Sequence, residues 1–312
     1  MNCEVYCFGE PLAGFYSTSE RSLSEIGNFH MTWGGDTSNV ALAVKKLGHQ
    51  SGYITKIGND FIGRGLLELW KDSGIYVQNV FVVNNQETGI YFVSFKNGKH
   101  EFDYRREGSA ASTFSLSDID KLVINDFRIF HLSGISQAIS KSCLESGFEF
   151  MERFKNNNII ISYDLNFRQK LWSPATARCI YQQVIEKYAD IISFNEDEAE
   201  ILGLPSDPTK AVKEVLKAKP KLAVYKRGDK GAVLGIGNQI IEREAYPVKT
   251  ADTVGAGDTF TAAILIGFIE NMKPDEMLKF ALAASALTCT KTGSTEGQPK
   301  REEVDIFLKK KP

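Results

Sequence analysis

The chain has 312 residues, of which 43% are hydrophobic and 24% are charged, and its formal net charge is −2 at pH 7. This composition is typical of a globular protein with a substantial core, and it offers no basic surface for nucleic acid. The five cysteines are scattered, the N-terminus does not resemble a signal peptide, and no apolar stretch approaches the roughly 20 residues that span a bilayer, so we expect a cytoplasmic protein with reduced thiols and no membrane contact.

Short apolar segments alternate with amphipathic stretches along most of the chain. This alternation predicts an α/β fold with a mostly parallel central sheet flanked by helices. The predicted strands are 5–8, 51–57, 127–132, 159–165, 191–194, 222–226 and 232–235. The predicted helices are 38–47, 63–73, 140–155, 175–187, 196–202, 258–270 and 275–292.

One region breaks this alternation. Residues 79–104 read as consecutive strands without a helix, and Asn97-Gly98 is a hairpin signal. Together with the segment near the N-terminus, this pattern predicts a small β-sheet lid formed by about 11–33 and 79–106 within a single domain, 1–312. Because exposed sheet edges invite pairing, we expect the protein to form a homo-oligomer through the lid.

The segment 251–260, ADTVGAGDTF, predicts a glycine-rich turn that opens a helix. The first N–H groups of a helix have no internal partner and carry the positive end of its dipole, so Gly255, Ala256 and Gly257 could seat an anion such as a phosphoryl group. Asp258 could accept a proton from a substrate hydroxyl at that seat. The alternative is an acid that only compensates the helix dipole.

A second glycine-rich entry into a helix begins at Gly34-Gly35. Glycines let the backbone approach a hydroxylated ligand closely, and Asp36 and Asn39 supply hydrogen-bonding groups that suit a sugar. The alternative is that Asp36 or Ser38 only caps the helix.

Polar residues also follow three predicted strands, at the edge where open α/β sheets bind ligands. Arg168, in the segment 164–168, could bind a carboxylate or phosphate, or form a surface salt bridge instead. The segment 195–198, Asn-Glu-Asp-Glu, offers oxygen ligands for Mg²⁺, although acids are also common at helix N-termini. The segment 226–231 is a glycine turn between two strands, with cations that could meet phosphates, or merely a basic hairpin.

In their order along the chain, these motifs resemble the ribokinase-like (PfkB) carbohydrate kinases. The motifs are GGDTSNVA from residue 34, NEDE at 195, KRGDKG at 226 and DTVGAGD at 252. The resemblance implies a three-layer ribokinase-like fold with a lid, and transfer of the γ-phosphoryl group of ATP to a sugar hydroxyl.

The resemblance also implies roles for individual residues. Asp258 would be the base, and the turn of Gly255, Ala256 and Gly257 would form the anion hole. Asn195 and Glu198 would serve Mg²⁺ and the phosphates, and Asp252 could border a monovalent cation such as K⁺. The nucleotide would contact Lys226, Gly228, Gly231, Gly255 and Gly257.

The sugar is indicated by finer features. Members that act on neutral sugars often carry an Asp shortly after the first strand, but segment 9–15 has none. Tyr91, Tyr104, Arg106 and Arg168 instead resemble the 2-keto-3-deoxygluconate kinase branch, in which they would hold an acid sugar beside Gly34, Gly35, Asp36, Asn39 and Asp258. Two arginines facing one pocket would be costly unless the substrate is anionic.

Three alternatives stay open from the sequence. Arg105 could face inward instead of Arg106, because adjacent strand residues point to opposite faces. The substrate could be fructose or another sugar. A chain of this fold could also bind a nucleoside or sugar without catalysis, although the presence of Asp258 favours an enzyme.

Overall fold

The computed structural model describes residues 3–19, 21–25, 27–96, 99–124 and 126–310, so the predicted turn at Asn97-Gly98 lies outside the described residues. The strands are β1 Val5–Phe8, β2 Leu12–Ser17, β3 Phe29–Gly34, β4 Ser51–Gly58, β5 Val80–Val83, β6 Ile90–Lys96, β7 Lys99–Arg105, β8 Ile129–Ser133, β9 Ile160–Asp164, β10 Ile191–Phe194, β11 Leu222–Lys226, β12 Ala232–Ile236 and β13 Gln239–Arg243. The helices are α1 Asp36–Lys46, α2 Phe61–Asp72, α3 Leu116–Ile119, α4 Gly134–Ala138, α5 Lys141–Asn156, α6 Pro174–Lys187, α7 Glu196–Leu202, α8 Pro208–Leu216, α9 Ala256–Ile269, α10 Pro274–Thr288 and α11 Arg301–Lys310.

The larger sheet has the order β13-β12-β11-β10-β9-β8-β1-β4-β5. The strands from β11 to β5 run parallel, whereas β12 and β13 are antiparallel additions at one edge. The carboxyl ends of β1, β8, β9, β10 and β11 therefore meet along one edge of the sheet. This is the edge at which open α/β sheets bind ligands.

Helices cover both faces of the larger sheet, and side chains alternate between two cores. In β1, Val5 and Cys7 belong to the core shared with α1, α2, α9 and α10, while Tyr6 and Phe8 belong to the core shared with α5, α6 and α8. A strand buried on both faces has no polar alternation, which explains the continuous apolar run of β1. The result is the predicted three-layer α/β architecture.

A smaller sheet has the order β3-β2-β6-β7 and stands at the carboxyl edge of the larger one. Strand β5, which falls within the 79–106 segment predicted as lid, pairs in parallel with β4 at the edge of the larger sheet. The smaller sheet therefore draws only on the later part of that segment. The prediction assigned β5 to the lid because β5 and β6 follow one another without a helix between them. The two strands nevertheless join different sheets.

Most predicted elements are confirmed within one or two residues. The sequence analysis did not predict α3, α4, α8, β13 or α11; of these, α8 is short and begins at Pro208 after the Asp207 cap. It extended α10 by four residues, since that helix ends at Thr288. No helix in the described part of the chain is both long and apolar enough to cross a membrane.

Candidate active site

A cavity of about 370 Å³ lies between the carboxyl edge of the larger sheet, the smaller sheet and the start of α9. We call it the first cavity. It is lined by Glu10, Leu12, Gly35, Asp36, Asn39, Tyr91, Phe102, Tyr104, Arg106, Ile135, Asp164, Asn166, Arg168, Lys226, Thr253, Val254, Gly255, Gly257 and Asp258. Most of the residues predicted to bind a sugar therefore lie together.

Asp258 stands in the first turn of α9. Its Oδ2 accepts a hydrogen bond of 2.7 Å from Nδ2 of Asn39, which lies in the first turn of α1. Burial, followed by the nearby carboxyl of Asp36, raises the pKa of Asp258 to about 7. A carboxyl with this pKa can accept a proton near neutral pH.

The turn before Asp258 needs glycine at one position and leaves space at another. Gly255 adopts φ +80°, and a Cβ there would lie 2.6 Å from the carbonyl oxygen of Ser294. At Gly257 a Cβ would meet no atom within 4 Å, because this position faces the cavity. The backbone at the N-terminus of α9 is thus open to a ligand, as an anion seat requires.

Asp36 is the first residue of α1, and burial raises its pKa. Its Oδ2 accepts hydrogen bonds from Ser133 Oγ and from Asn166 Nδ2, the latter at 3.1 Å. Its Oδ1 is buried and has no hydrogen-bond partner among the described residues. That oxygen can accept a hydrogen bond from a ligand hydroxyl.

The smaller sheet places two predicted tyrosines against the first cavity. Tyr91 is 5% exposed, and its hydroxyl lies 3.3 Å from that of Tyr16. Burial raises the pKa of Tyr91 to about 12, so its hydroxyl stays protonated and able to donate. Gly34 leaves room for the Tyr91 hydroxyl, because a Cβ at position 34 would lie only 2.9 Å from Tyr91 Oη. Tyr104 lies beside Tyr91, with 5.7 Å between the ring centroids.

The two predicted arginines differ in their surroundings. Arg106 lines the cavity and forms an ion pair with the buried carboxylate of Glu10. Arg168 also lines the cavity, and its Nη1 donates 2.8 Å to the carbonyl oxygen of Phe167. Arg105 is exposed and pairs with Asp103 at 2.9 Å, so Arg106 is the one that faces the first cavity. The expectation of two uncompensated arginines is therefore wrong, because Glu10 neutralises Arg106.

Lys226 ends β11 and reaches across the carboxyl edge of the sheet. Its Nζ lies 2.5 Å from Asp164 Oδ2, which also accepts a 3.0 Å bond from Thr261 Oγ1. Burial alone would lower the pKa of Lys226, but the carboxylates of Asp164 and Glu198 raise it. The ammonium group therefore stays charged between two cavities, since Lys226 also lines the second one.

This second cavity, of about 460 Å³, shares Lys226, Thr253 and Gly257 with the first. Its other walls are largely apolar and include Phe260, Leu282, Ala286, Tyr246 and Val248. Gly228 and Gly231, with φ +59° and +91°, form the turn that borders it. A largely apolar cavity that is bordered by a lysine and a helix N-terminus suits a nucleobase with attached phosphates.

Glu198 and Asn195 form a reciprocal cap at the start of α7. Glu198 Oε2 accepts from the amide of Asn195 at 2.8 Å, Oε1 accepts from the amide of Phe167 at 2.8 Å, and Asn195 Oδ1 accepts from the amide of Glu198 at 3.0 Å. Burial raises the pKa of Glu198. Asn195 also lines a groove of about 420 Å³ that includes Lys226 and Gly228. The carboxylate predicted as a metal ligand is thus engaged with backbone amides.

Asp252 is likewise engaged with the backbone. Its Oδ1 accepts from the amide of Val254 and its Oδ2 from the amide of Gly293, both at 3.1 Å. Among the described residues, no group of three or more His, Cys, Asp or Glu side chains is arranged to hold a metal ion. A cation bound here would therefore depend on oxygens from a ligand, water or the backbone.

Sequence reasoning missed the partners that orient these groups. Ser133 and Thr261 were not predicted, Asp164 was placed at a strand end without a role of its own, and Glu10 entered only as the absence of an aspartate. Ser133 ends strand β8 and Glu10 follows β1, so the strand-end rule that placed Asp164 could also have found these two.

Comparisons with known proteins agree with this geometry. The model of the pfkB family carbohydrate kinases matches residues 3–301. The chain is 32% identical to probable fructokinase-5 of Arabidopsis thaliana over 98% of each chain, and 28% identical to 2-dehydro-3-deoxygluconokinase of Bacillus subtilis over 99% of this chain and 96% of that one.

A crystal structure described as a putative ribokinase II from E. coli in complex with ATP and Mg²⁺ superposes with a TM-score of 0.92. It shares 26% identity, over 99% of each chain. The family match covers nearly the whole chain, and the fold and motif order agree with it. The protein therefore belongs to the pfkB family of carbohydrate kinases.

Proposed function

We propose that the protein transfers the γ-phosphoryl group of ATP to a hydroxyl of 2-dehydro-3-deoxy-D-gluconate. The observation that carries this proposal is Arg168, which lines the first cavity and forms no ion pair with an acidic side chain of the described residues. A guanidinium in a closing site favours an anionic group, which it can bind through two parallel hydrogen bonds. The carboxylate of a sugar acid supplies such a group.

The remaining contacts in the first cavity suit the rest of an open-chain or ring sugar. Asp36 Oδ1 accepts from a hydroxyl, and the hydroxyls of Tyr91 and Tyr104 contact the oxygens near the carboxylate. Gly35 and Asn39 bring backbone and side chain close to the same ligand. These contacts fix the hydroxyl to be phosphorylated near Asp258.

The second cavity is the proposed ATP site. Its apolar walls hold the base, and Lys226 with Gly228, Gly231 and Gly257 meets the phosphates. Asn195 and Glu198 serve Mg²⁺ through water, because the carboxylate oxygens of Glu198 already accept backbone amides. Mg²⁺ supplies neutralisation of phosphate charge when it is bound.

Asp258 acts as the general base in this proposal. Its carboxylate takes the proton of the substrate hydroxyl as the oxygen attacks the γ-phosphorus, while the N–H groups of Gly255 and Gly257 hold the charge on the phosphoryl oxygens. The N–H of Ala256, which donates to the carbonyl oxygen of Thr253 at 3.3 Å, shares in this when the turn adjusts to the ligand. The smaller sheet excludes water, which limits hydrolysis of ATP. Phosphoryl transfer depends mainly on this positioning and charge stabilisation.

Fructokinase activity is the second candidate. The fructokinase relatives match the chain at about the same level as the 2-dehydro-3-deoxygluconokinase. The Glu10–Arg106 ion pair also favours it, because it removes one of the two positive charges expected to demand an acid. The first cavity can therefore admit a neutral sugar more readily than the sequence alone suggests.

A coupled ADP-release assay with 2-dehydro-3-deoxy-D-gluconate, D-fructose and D-ribose at equal concentration tests the proposal. We expect the highest kcat/KM with the sugar acid. A higher value with fructose would replace the first candidate by the second. ATP binding without turnover of any sugar would instead indicate a non-catalytic binding protein.

Two further features belong to the proposal. A monovalent cation such as K⁺ binds near Asp252 and raises turnover, which an assay in potassium and in a tetraalkylammonium salt would test. The smaller sheet, with β3 and β7 at its edges, pairs two copies of the chain. Sedimentation velocity of the full chain, with edge-strand variants, would test this homo-oligomer.

A further inference from the structure

Glu10 carries a buried charge at the first cavity. It lies between β1 of the larger sheet and β2 of the smaller one, and its side chain is fully buried. Its Oε2 forms the ion pair with Arg106, whose side chain is 13% exposed, and its Oε1 accepts a 2.6 Å bond from Ser109 Oγ. Both charged residues also line the cavity.

The surroundings of Glu10 hold it in place. The backbone passes between the two sheets before β2, after β3, before β6 and after β7, and these passages meet here. A Cβ on Gly35, which follows β3, would lie 2.4 Å from the carbonyl oxygen of Glu10. A Cβ on Gly89, which precedes β6, would lie 3.0 Å from Glu10 Oε1. Glu10 therefore has little room to move away from Arg106.

The charges that line the first cavity can be sorted into pairs. Glu10 pairs with Arg106, and Asp164 pairs with Lys226. Of the lining cations, Arg168 is left without an acidic ion-pair partner among the described residues. The cavity thus presents one guanidinium without an ion pair instead of two, together with the carboxyls of Asp36 and Asp258.

We propose that Glu10 is a specificity-determining residue, which sets how strongly the sugar site discriminates between acidic and neutral sugars by neutralising Arg106. This inference rests on the proposed function only in placing the sugar in the first cavity. The carboxylate of Glu10 cancels much of the field of Arg106 at the ligand, so acidic sugars are favoured mainly by Arg168. Removing that carboxylate would leave the positive charge of Arg106 unpaired beside the ligand, in a largely buried position where charges interact strongly.

The experiment compares Glu10→Gln with Arg106→Gln. Calorimetry with a non-hydrolysable ATP analogue present gives Kd for 2-dehydro-3-deoxy-D-gluconate and for D-fructose, and the ratio of the two is the readout. We expect E10Q to shift the ratio about tenfold toward the acid and R106Q to shift it about tenfold toward the neutral sugar. Glu107→Gln is the matched control, because this exposed acid lies outside the first cavity and its loss removes the same charge. E107Q should leave the ratio within twofold.

Shifts of the Kd ratio in opposite directions indicate an effect of charge. Substitution of a residue that only stabilises the fold would weaken the binding of both sugars alike. Equal ratios in E10Q, R106Q and the wild type would overturn the proposal, as would a shift of the same sign in both variants. If E10Q fails to fold, the double variant E10Q/R106Q, which removes both charges, replaces it. Its ratio should be within threefold of the wild-type ratio, and a shift as large as that of R106Q alone would overturn the proposal.

Loss of binding of both sugars in the folded variants would also count against the proposal, because the other contacts remain. Turnover by the wild type is measured separately. Failure of the wild type to phosphorylate the sugar acid would refute the proposed substrate, while the change in the binding ratio between variants would still decide the role of Glu10.

Discussion

The substitution Asp258→Asn should stabilise the ligand-free protein while abolishing catalysis. Burial and the carboxyl of Asp36 raise the pKa of Asp258 from 3.8 to about 7 in the folded state. A raised acid pKa means that the folded state binds the proton more tightly than the unfolded state does. The resulting stability is present below pH 3.8 and is lost as the pH rises to 7.

The size of the effect follows from the shift. About three pKa units correspond to about 4 kcal/mol at pH 8, and partial exposure of Asp258 reduces the expected gain to about 2 kcal/mol. At pH 5 the destabilisation is less than half as large, because this pH lies below the folded-state pKa of about 7 and Asp258 stays mostly protonated in the folded protein. Replacing the ionisable carboxyl with an amide removes this pH-dependent cost.

Urea unfolding of the ligand-free protein at pH 5 and pH 8 measures the gain. Asp126→Asn, which changes an exposed carboxyl, is the matched control and should change the stability little at either pH. D258N should also lose at least about 100-fold in kcat, because a positioned base contributes that much or more. If D258N were no more stable than the wild type at pH 8, or if its gain were equal at the two pH values, the reasoning about a strained carboxylate would fail.

Three further predictions concern the same site. The wild-type kcat should rise with pH through about 7 as Asp258 ionises, and a flat pH–rate profile from pH 5.5 to 8.5 would contradict its role as base. Arg168→Ala should raise KM for 2-dehydro-3-deoxy-D-gluconate at least about tenfold and change KM for fructose less than about threefold, and equal effects on both sugars would exclude a carboxylate contact. Gly255→Ala should lower the free energy of unfolding by about 2 kcal/mol, because the backbone of Gly255 has φ +80° and faces Ser294. Gly257→Ala should unfold like the wild type but lose turnover, because a Cβ at this position meets no protein atom within 4 Å. Circular dichroism melts together with activity assays check this contrast, and equal melting temperatures for the two variants would refute it.

The fold could be predicted in detail because its signals are local and repeated. The apolar run of β1 and the glycine turn at 255–257 depend on neighbours in sequence, and both appear where they were expected. The boundary of the smaller sheet could not be read in the same way. Strand β5 is a short apolar strand that β6 follows without an intervening helix, and only its pairing with β4 assigns it to the larger sheet.

The candidate site was predictable in its residues more than in its charges. The strand-end and helix-start positions placed Asp36, Arg168 and Asp258 around one cavity. The neutralisation of Arg106 was not predictable, because Glu10 lies 96 residues before it and nothing in the local sequence joins them. Tertiary ion pairs of this kind leave no periodic signal in a single sequence.

The wall of Lys226, Thr253 and Gly257 that separates the two cavities has a thermodynamic consequence. A ligand in either cavity must contact and order atoms that the other ligand also uses. Sugar and nucleotide affinities should therefore be linked, and the linkage must be equal in both directions. If bound sugar changes the affinity for ATP by a given factor, bound ATP must change the affinity for the sugar by the same factor. Lys226, Thr253 and Gly257 thus couple the two cavities thermodynamically.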